Sequence, residues 1–223
     1  MHNYIINPAI SFYCGFPLTI NHVITAIHNS NDILESLPFS LYRSIDYKTT
    51  SSLIGCTFCE NIVQTTNGMA IANPIEKGHP DIIPCTAAGS TEIQLRNYPI
   101  GLEIKCTIGS IPKNTLIEKA SSRIHELSNI TWQAHHQEVT QLLGITFDYI
   151  TTATGNKPVI TAAFYSNQLC KDDWGAISGT SGRNTKVCGM KASGKQKMGA
   201  GWFAILDDDP VYFEKYSQIF KFT

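Results

Sequence analysis

The sequence predicts an α/β (α+β) fold in which helices flank a β-sheet, and three patterns support this. Apolar residues recur every four positions over residues 50–65, which is typical of an amphipathic helix. Apolar and polar residues alternate strictly over residues 102–108, as expected of a half-buried strand. A run of apolar and β-branched residues over 159–165 is typical of a buried strand.

In the first half of the chain we expect two helices and three strands. Short apolar runs predict a first helix over residues 21–37, and the second covers residues 50–65 and ends before Gly68. A strand starts with Asp81, and residues 92–95 are predicted to be its hairpin partner. The alternating strand then follows the turn at Tyr98 to Gly101.

The second half is predicted to begin with a long helix over residues 115–143, because apolar residues recur there at helical spacing. Gly144 interrupts or ends this helix. The strand over 159–165 follows, and residues 201–206 form another. Residues 211–222 form a closing strand or helix.

Length and charge limit the possible functions. A chain of 223 residues with 43% hydrophobic content can bury one sizeable core, so we expect a single domain over residues 1–223. The net charge of −1 provides no overall basic field for nucleic acid. A local basic patch must therefore supply the attraction if the chain binds DNA.

Cysteine usage predicts a reducing, cytoplasmic environment. The count of seven is odd, and the first residues do not follow the pattern of a signal peptide. No apolar stretch approaches the 18 residues of a membrane span. The Cys56-x-x-Cys59 spacing has no second pair to complete a zinc site, so we interpret both residues as small buried side chains of a helix.

The candidate catalytic residues lie near two predicted strands. Asp81 follows Pro80 at the start of one strand, and Glu103 and Lys105 project from the same face of the other. Two acids and a lysine brought together in this way can hold a divalent cation against a phosphate. A Glu-x-Lys pair on a surface strand is also common as a solvated ion pair, and this alternative stays open.

The pattern resembles the signature of the PD-(D/E)xK nucleases, a superfamily that includes most type II restriction endonucleases. That signature has Pro-Asp at the start of one strand, a variable insert, and Asp/Glu-x-Lys on the neighbouring strand. Pro80, Asp81, Glu103 and Lys105 match it position for position. The resemblance covers residues 51–108, about a quarter of the chain.

The resemblance implies a restriction-endonuclease-like core, in which helices flank a central mixed β-sheet. The expected order is a helix, three strands, a helix and a strand, within a catalytic core at about residues 50–165. Many members carry another acid on the preceding helix, which makes Glu60 a third candidate carboxylate. The implied protein is a bacterial, cytoplasmic homodimer that cuts double-stranded DNA at a short palindromic site, with a cognate DNA methyltransferase as its genetic partner.

The expected chemistry follows from the charge of the phosphodiester. One or two Mg²⁺ ions, for which Mn²⁺ can substitute, are expected on Asp81, Glu103 and the backbone carbonyl of Ile104. The ions neutralise developing charge and activate a water molecule. Lys105 orients that water and stabilises the transition state. Glu60 is expected to hold a second ion or a metal-bound water.

An acid-free, glycine-rich segment at about residues 174–206 is the predicted DNA-contacting segment. Basic side chains there can bind phosphates, and polar ones can reach base edges. The alternative is a surface hairpin whose lysines are merely solvated. The candidate contacts are Arg183, Asn184, Lys186, Lys191, Lys195 and Lys197.

A second polar cluster surrounds His135 and His136, which the sequence places on the long predicted helix. Adjacent helical residues point about 100° apart, so the two cannot chelate one ion together. Gln133 and His136 are candidate DNA contacts, with surface or packing roles as the alternative. A histidine-dependent nuclease centre has no evident partners in the sequence.

Two other functions stay open. A repair nickase or junction resolvase of the same fold would use the same residues for a different DNA substrate. A non-catalytic DNA-binding module with a vestigial acidic site would bind DNA without cutting it.

Overall fold

The computed structural model describes residues 2–76, 78–178 and 186–222, and its centre is a five-stranded mixed β-sheet flanked by helices. The chain begins with a short strand and continues through three helices. These elements are β1 (Tyr4–Ile6), α1 (Ile20–Ser36), α2 (Phe39–Ser44) and α3 (Tyr47–Thr65).

Helices α1 and α3 confirm both helices predicted in the first half of the chain. The hydroxyl of Thr19 accepts a hydrogen bond from the amide of His22 and caps α1. Asp46 caps α3 by accepting from the amide of Thr49 at 2.8 Å. Gly68 lies just after α3 with φ of +81°, where a glycine is favoured.

The middle of the chain forms β2 (Ala70–Ala72), β3 (Ile82–Pro84), α4 (Glu92–Arg96) and β4 (Glu103–Thr107). The predicted strand over residues 92–95 is therefore wrong. Thr91 and Gln94 form a capping box at the start of α4, which favours one helical turn. The Thr-x-x-Gln spacing was the signal in the sequence that should have predicted it.

The predicted helix over residues 115–143 is also wrong. Residues 108–141 form an irregular excursion whose regular structure is one short strand, and Leu116, the first apolar residue of the predicted helix, is 97% exposed. Asp148 fixes the excursion by accepting hydrogen bonds from the Ser122 hydroxyl and from the backbone N–H groups of Arg123 and Ile124. The apolar spacing therefore reflects burial of an irregular chain and not one face of a helix.

The remaining elements are three strands of the central sheet, two short strands that pair with each other outside it, and two helices. The strand over 159–165, the strand over 201–206 and the helical alternative for 211–222 are all confirmed. These elements are β5 (Gln133–Ala134), β6 (Leu142–Thr152), β7 (Gly155–Ser166), β8 (Cys188–Gly189), α5 (Ala192–Ala200), β9 (Trp202–Leu206) and α6 (Pro210–Phe220).

Gly144 lies inside β6 and does not end a helix, contrary to the prediction. A Cβ atom at this position would come within 2.5 Å of the indole of Trp132. Glycine therefore lets the irregular excursion pack closely on the sheet.

The strand order in the sheet is β1-β9-β7-β6-β4. Strand β4 is parallel to β6, and the other pairs are antiparallel. Beyond β4, Ile82 and Leu102 exchange two backbone hydrogen bonds, which join β3 to the edge of the sheet. The expected order of a helix, three strands, a helix and a strand is not found as predicted: α4 takes the place of the middle strand, irregular chain replaces the second helix, and the strands β2 and β6 were not predicted.

Two hydrophobic cores fill the space between the sheet and the helices. The first contains α1, α3 and apolar residues of β4, β6 and β7. The second contains α5, α6 and part of the irregular excursion. No helix in the described ranges is long and apolar enough to cross a membrane.

Candidate active site

The structure brings Asp81 next to β4, where the sequence predicts it. Asp81 directly precedes β3, and the pairing of Ile82 with Leu102 fixes that position. The amide N–H of Ile104 donates a hydrogen bond of 2.7 Å to Oδ2 of Asp81. Because the N–H and C=O of one strand residue point to the same edge, the Ile104 carbonyl also lies on the Asp81 side.

Glu103 and Lys105 project toward Asp81 from one face of β4. The ammonium of Lys105 lies 2.5 Å from Oε1 of Glu103 and 3.5 Å from Oδ2 of Asp81. The sequence predicts a half-buried strand with Glu103 on its polar face, but Glu103 is only 2% exposed. Two carboxylates and one ammonium leave one excess negative charge at the edge of the sheet, which attracts a cation.

Burial and neighbouring charges shift the pKa of each of these groups. Burial alone would raise the pKa of Glu103, but the His79 ring and the Lys105 ammonium outweigh it and lower the pKa to about 2. Burial, followed by the charge of Glu103, raises the pKa of Asp81. Burial opposes the charge on Lys105, but the two carboxylates raise its pKa overall, so it stays an ammonium.

The carboxylate of Glu103 is short of hydrogen bonds. Within the described residues neither Oε1 nor Oε2 has a partner with hydrogen-bond geometry, so the Lys105 contact is an ion pair without a directed bond. Leaving a buried carboxylate unsatisfied costs several kcal/mol, roughly, unless a ligand or water completes its shell. Glu103 lines a groove of about 360 Å³ together with Tyr98 and Gln141.

These observations fit Mg²⁺ on Asp81, Glu103 and the Ile104 carbonyl. Magnesium keeps several waters and binds through one or two carboxylates. In the described part of the chain, no three His, Cys, Asp or Glu side chains are close enough together to hold a metal ion by themselves. Any ion here would therefore complete its shell with water.

Two histidines border the site, and the sequence reasoning missed their part in it. Nδ1 of His79 lies 3.5 Å from Oε1 of Glu103, and the rings of His79 and His136 are edge-to-face with centroids 4.2 Å apart. His136 is not helical, contrary to the prediction, because the irregular excursion carries it there. The position of His79 directly before Pro80 was the signal that could have identified it.

Helix α3 presents a thiol toward the site, and Glu60 faces solvent. Glu60 is exposed and accepts a hydrogen bond of 3.1 Å from Gln64, and within the described residues it makes no hydrogen bond or ion pair with the site. Burial raises the pKa of the neighbouring Cys59 well above its usual value, and the charge of Asp81 adds to this. Cys56 is exposed, so the prediction that both cysteines are buried is wrong for Cys56.

The predicted DNA-contacting lysines are spread around α5. Lys191 immediately precedes this helix, and Lys195 donates to Oδ1 of Asn129 at 3.0 Å. Lys197 forms an ion pair of 2.7 Å with the buried carboxylate of Asp173, which engages its ammonium within the protein. Two further candidates, Arg183 and Asn184, lie outside the described residues.

The other three candidates, Lys186, Gln133 and His136, lie on or next to the β5–β8 pair. Gln133 is exposed on β5, which pairs with β8. The backbone carbonyl of Lys186 lies 3.0 Å from Nδ1 of His135. Among these candidates, His136 lines the groove beside Glu103.

No protein-family model, curated protein or solved structure matches this chain. The geometry of the site is therefore the basis for the functional proposal.

Proposed function

We propose that this chain is a Mg²⁺-dependent endodeoxyribonuclease that resembles type II restriction endonucleases of the PD-(D/E)xK superfamily. One observation carries the proposal: the Lys105 ammonium contacts the carboxylates of both Asp81 and Glu103 beside an open polar groove. Glu103 and Lys105 lie on β4, the edge strand of the mixed sheet, and Asp81 lies just before Ile82, which pairs with Leu102.

The chain supplies the groups that hydrolysis of a phosphodiester requires. Asp81 is held in place by the Ile104 amide, and the pKa of Glu103 keeps that residue ionised at neutral pH. Bound Mg²⁺ would supply positive charge to the phosphate oxygens and a more acidic water. Lys105, between the carboxylates, donates to the attacking water and stabilises the negative charge that develops on the phosphate.

The wider proposal concerns the substrate and the assembly. Double-stranded DNA with a short palindromic site fits a homodimer, because a twofold protein reads a palindrome with two identical patches. The wider proposal also includes a bacterial cytoplasmic location and a cognate DNA methyltransferase as the genetic partner. These features follow from the resemblance and from the basic residues near α5.

The test is incubation of the full chain with sequenced, unmethylated plasmid and Mg²⁺ or Mn²⁺, followed by run-off sequencing of the ends. Discrete linear fragments that require the metal support the proposal. The variant Lys105→Met is expected to cut at least about 100-fold more slowly, since one charge-stabilising donor is lost. Asp172→Asn, which changes an exposed acid away from the site, is the matched control.

The outcomes separate this proposal from its alternatives. Nicking, or cutting confined to branched DNA, would favour a repair nickase or junction resolvase. DNA binding without cleavage, and without metal binding in calorimetry, would favour a non-catalytic module. Equal cleavage by Lys105→Met and the unaltered chain would refute the assigned centre.

A further inference from the structure

A cavity of about 610 Å³ is lined by α5, the end of α6 and part of the irregular excursion. Among the described residues, it shares none of its lining with the groove beside Glu103. Ala192, Gln196 and Ala200 line it from α5, where they are spaced four residues apart and therefore lie on one face of the helix. A cavity of this size can hold a small molecule, which the candidate active site does not account for.

Aromatic rings form the wall of the cavity at the end of α6. Phe220 and Phe222 both line it, and their planes are 15° from parallel with centroids 6.4 Å apart. Two tryptophans continue this alignment, since Trp132 lies 14° from the plane of Phe220 and Trp202 lies 22° from the plane of Phe222. Rings held in one common orientation provide a surface on which a flat heteroaromatic ring can stack.

The polar residues of the cavity favour an anionic ligand. In the described part of the chain, its lining contains Lys195 and Lys221 and no acidic side chain. Lys195 donates a hydrogen bond of 3.0 Å to Oδ1 of Asn129, and an ammonium group has further donors that a ligand can use. Asn129 and Gln196 also line the cavity, and side-chain amides can pair with the polar edge of a nucleobase.

We propose that this cavity binds a nucleotide, with its base on the rings of Phe220 and Phe222 and its phosphate on Lys195 and Lys221. An inorganic anion would not use the aromatic wall, and an alkyl carboxylate would use neither the aligned rings nor the amides. A free nucleotide and an unpaired nucleotide of a DNA strand present the same base and phosphate. The inference rests on the cavity alone and does not require that the chain cuts DNA.

Calorimetric titration of the full chain tests the site, with a metal chelator present so that the proposed cleavage cannot occur. Deoxyadenosine monophosphate is expected to bind, deoxyadenosine to bind more weakly, and inorganic phosphate and decanoate not to bind measurably. Tighter binding of a short single-stranded oligodeoxyadenylate would identify a DNA strand as the source, and tighter binding of the mononucleotide would identify a free nucleotide. Absence of binding by both, or binding of decanoate as tight as that of the mononucleotide, would overturn the proposal.

Two substitutions in the cavity test where the base binds. Phe222→Leu keeps an apolar side chain but removes the ring, and it is expected to weaken binding of the mononucleotide at least about 5-fold. Ala200→Trp fills the cavity and is expected to abolish binding, with Ala153→Trp in the exposed turn between β6 and β7 as the matched control. Thermal unfolding checks that each variant is folded, and unchanged affinity in either folded cavity variant would refute the site.

Lys195→Gln and Lys221→Gln test the phosphate contact. Each is expected to weaken binding of the mononucleotide at least about 3-fold and to leave binding of deoxyadenosine unchanged, because that probe has no phosphate. Lys171→Gln is the exposed lysine control. Equal losses for both probes would show that these lysines act on the structure of the cavity and would refute the assigned phosphate contacts.

The two proposals can fail separately. Nucleotide binding that Phe222→Leu weakens, in a protein that cuts no DNA, would support the cavity site and reject the nuclease. Mg²⁺-dependent cutting by a protein that binds no nucleotide in the cavity would support the nuclease and reject the cavity site.

Discussion

The Ile104 amide donates a 2.7 Å hydrogen bond to Oδ2 of Asp81, and this bond ties the carboxylate to the edge of the sheet. Since burial and the charge of Glu103 raise the pKa of Asp81, the fold holds that carboxylate against electrostatic repulsion. A site that holds two carboxylates together against their mutual repulsion is stabilised when a cation binds.

The first prediction concerns Asp81→Asn. The neutral amide removes the repulsion from Glu103 and can still accept from Ile104, so the free energy of unfolding without metal should change by less than about 1 kcal/mol. The stabilisation by Mg²⁺ should disappear with the carboxylate. Thermal unfolding with and without millimolar Mg²⁺ measures both effects. A rise in Tm on addition of Mg²⁺ as large as that of the unaltered chain would contradict the prediction.

For Lys105→Met we expect the opposite of Asp81→Asn: lower stability without metal and a larger stabilisation by Mg²⁺. Removal of the ammonium leaves Glu103 buried beside Asp81 without its counter-charge, so stability without metal should fall by roughly 2–4 kcal/mol. Mg²⁺ should then stabilise the variant more than it stabilises the unaltered chain. Urea unfolding at several Mg²⁺ concentrations provides the measurement, with Lys171→Met as an exposed lysine control.

Asp148 is predicted to fix the irregular excursion over residues 108–141. Its carboxylate accepts from the Ser122 hydroxyl and from the N–H groups of Arg123 and Ile124, so Asp148→Ala leaves these donors unsatisfied. We expect a loss of about 2–4 kcal/mol in unfolding free energy. Hydrogen exchange should show faster exchange of the Arg123 and Ile124 amides, and protection equal to that of the unaltered chain would argue against this role.

The sequence was sufficient to predict Asp81, Glu103 and Lys105 as neighbours. Their strands are close in the chain, and alternation along β4 places Glu103 and Lys105 on one face. Helix α3 was predictable for the same local reason, because Ile54, Phe58 and Ile62 recur at a spacing of four residues along it. In these segments local preference and tertiary packing agree.

The contact between His79 and His136 could not be predicted in this way. It depends on the path of the irregular excursion, which is set by distant anchors such as Asp148 and by the close packing of Trp132 on Gly144. Apolar residues in that excursion mimic helical spacing because they fill a core from an irregular backbone. A periodic pattern does not distinguish these two causes.

The final prediction concerns Asp173 and Lys197, whose ion pair of 2.7 Å joins the start of the 174–206 segment to α5. Burial opposes ionisation of Asp173, but hydrogen bonds from Lys197 and Ser193 outweigh it and lower the pKa to about 2. In the unfolded chain an aspartate has a pKa of about 3.9, so Asp173 binds a proton less tightly in the folded state. The stability from this pair is therefore present above about pH 4 and is lost as the pH falls toward 2.

Asp173→Asn removes that contribution, and we expect a loss of about 1 kcal/mol at pH 7. The difference in stability between the variant and the unaltered chain should shrink as the pH is lowered from 5 toward 2, because protonation then neutralises Asp173 in both states. Urea unfolding across this pH range measures it, with Asp172→Asn as the exposed control. A difference that stays constant over the range would show that the carboxylate charge of Asp173 does not contribute to stability.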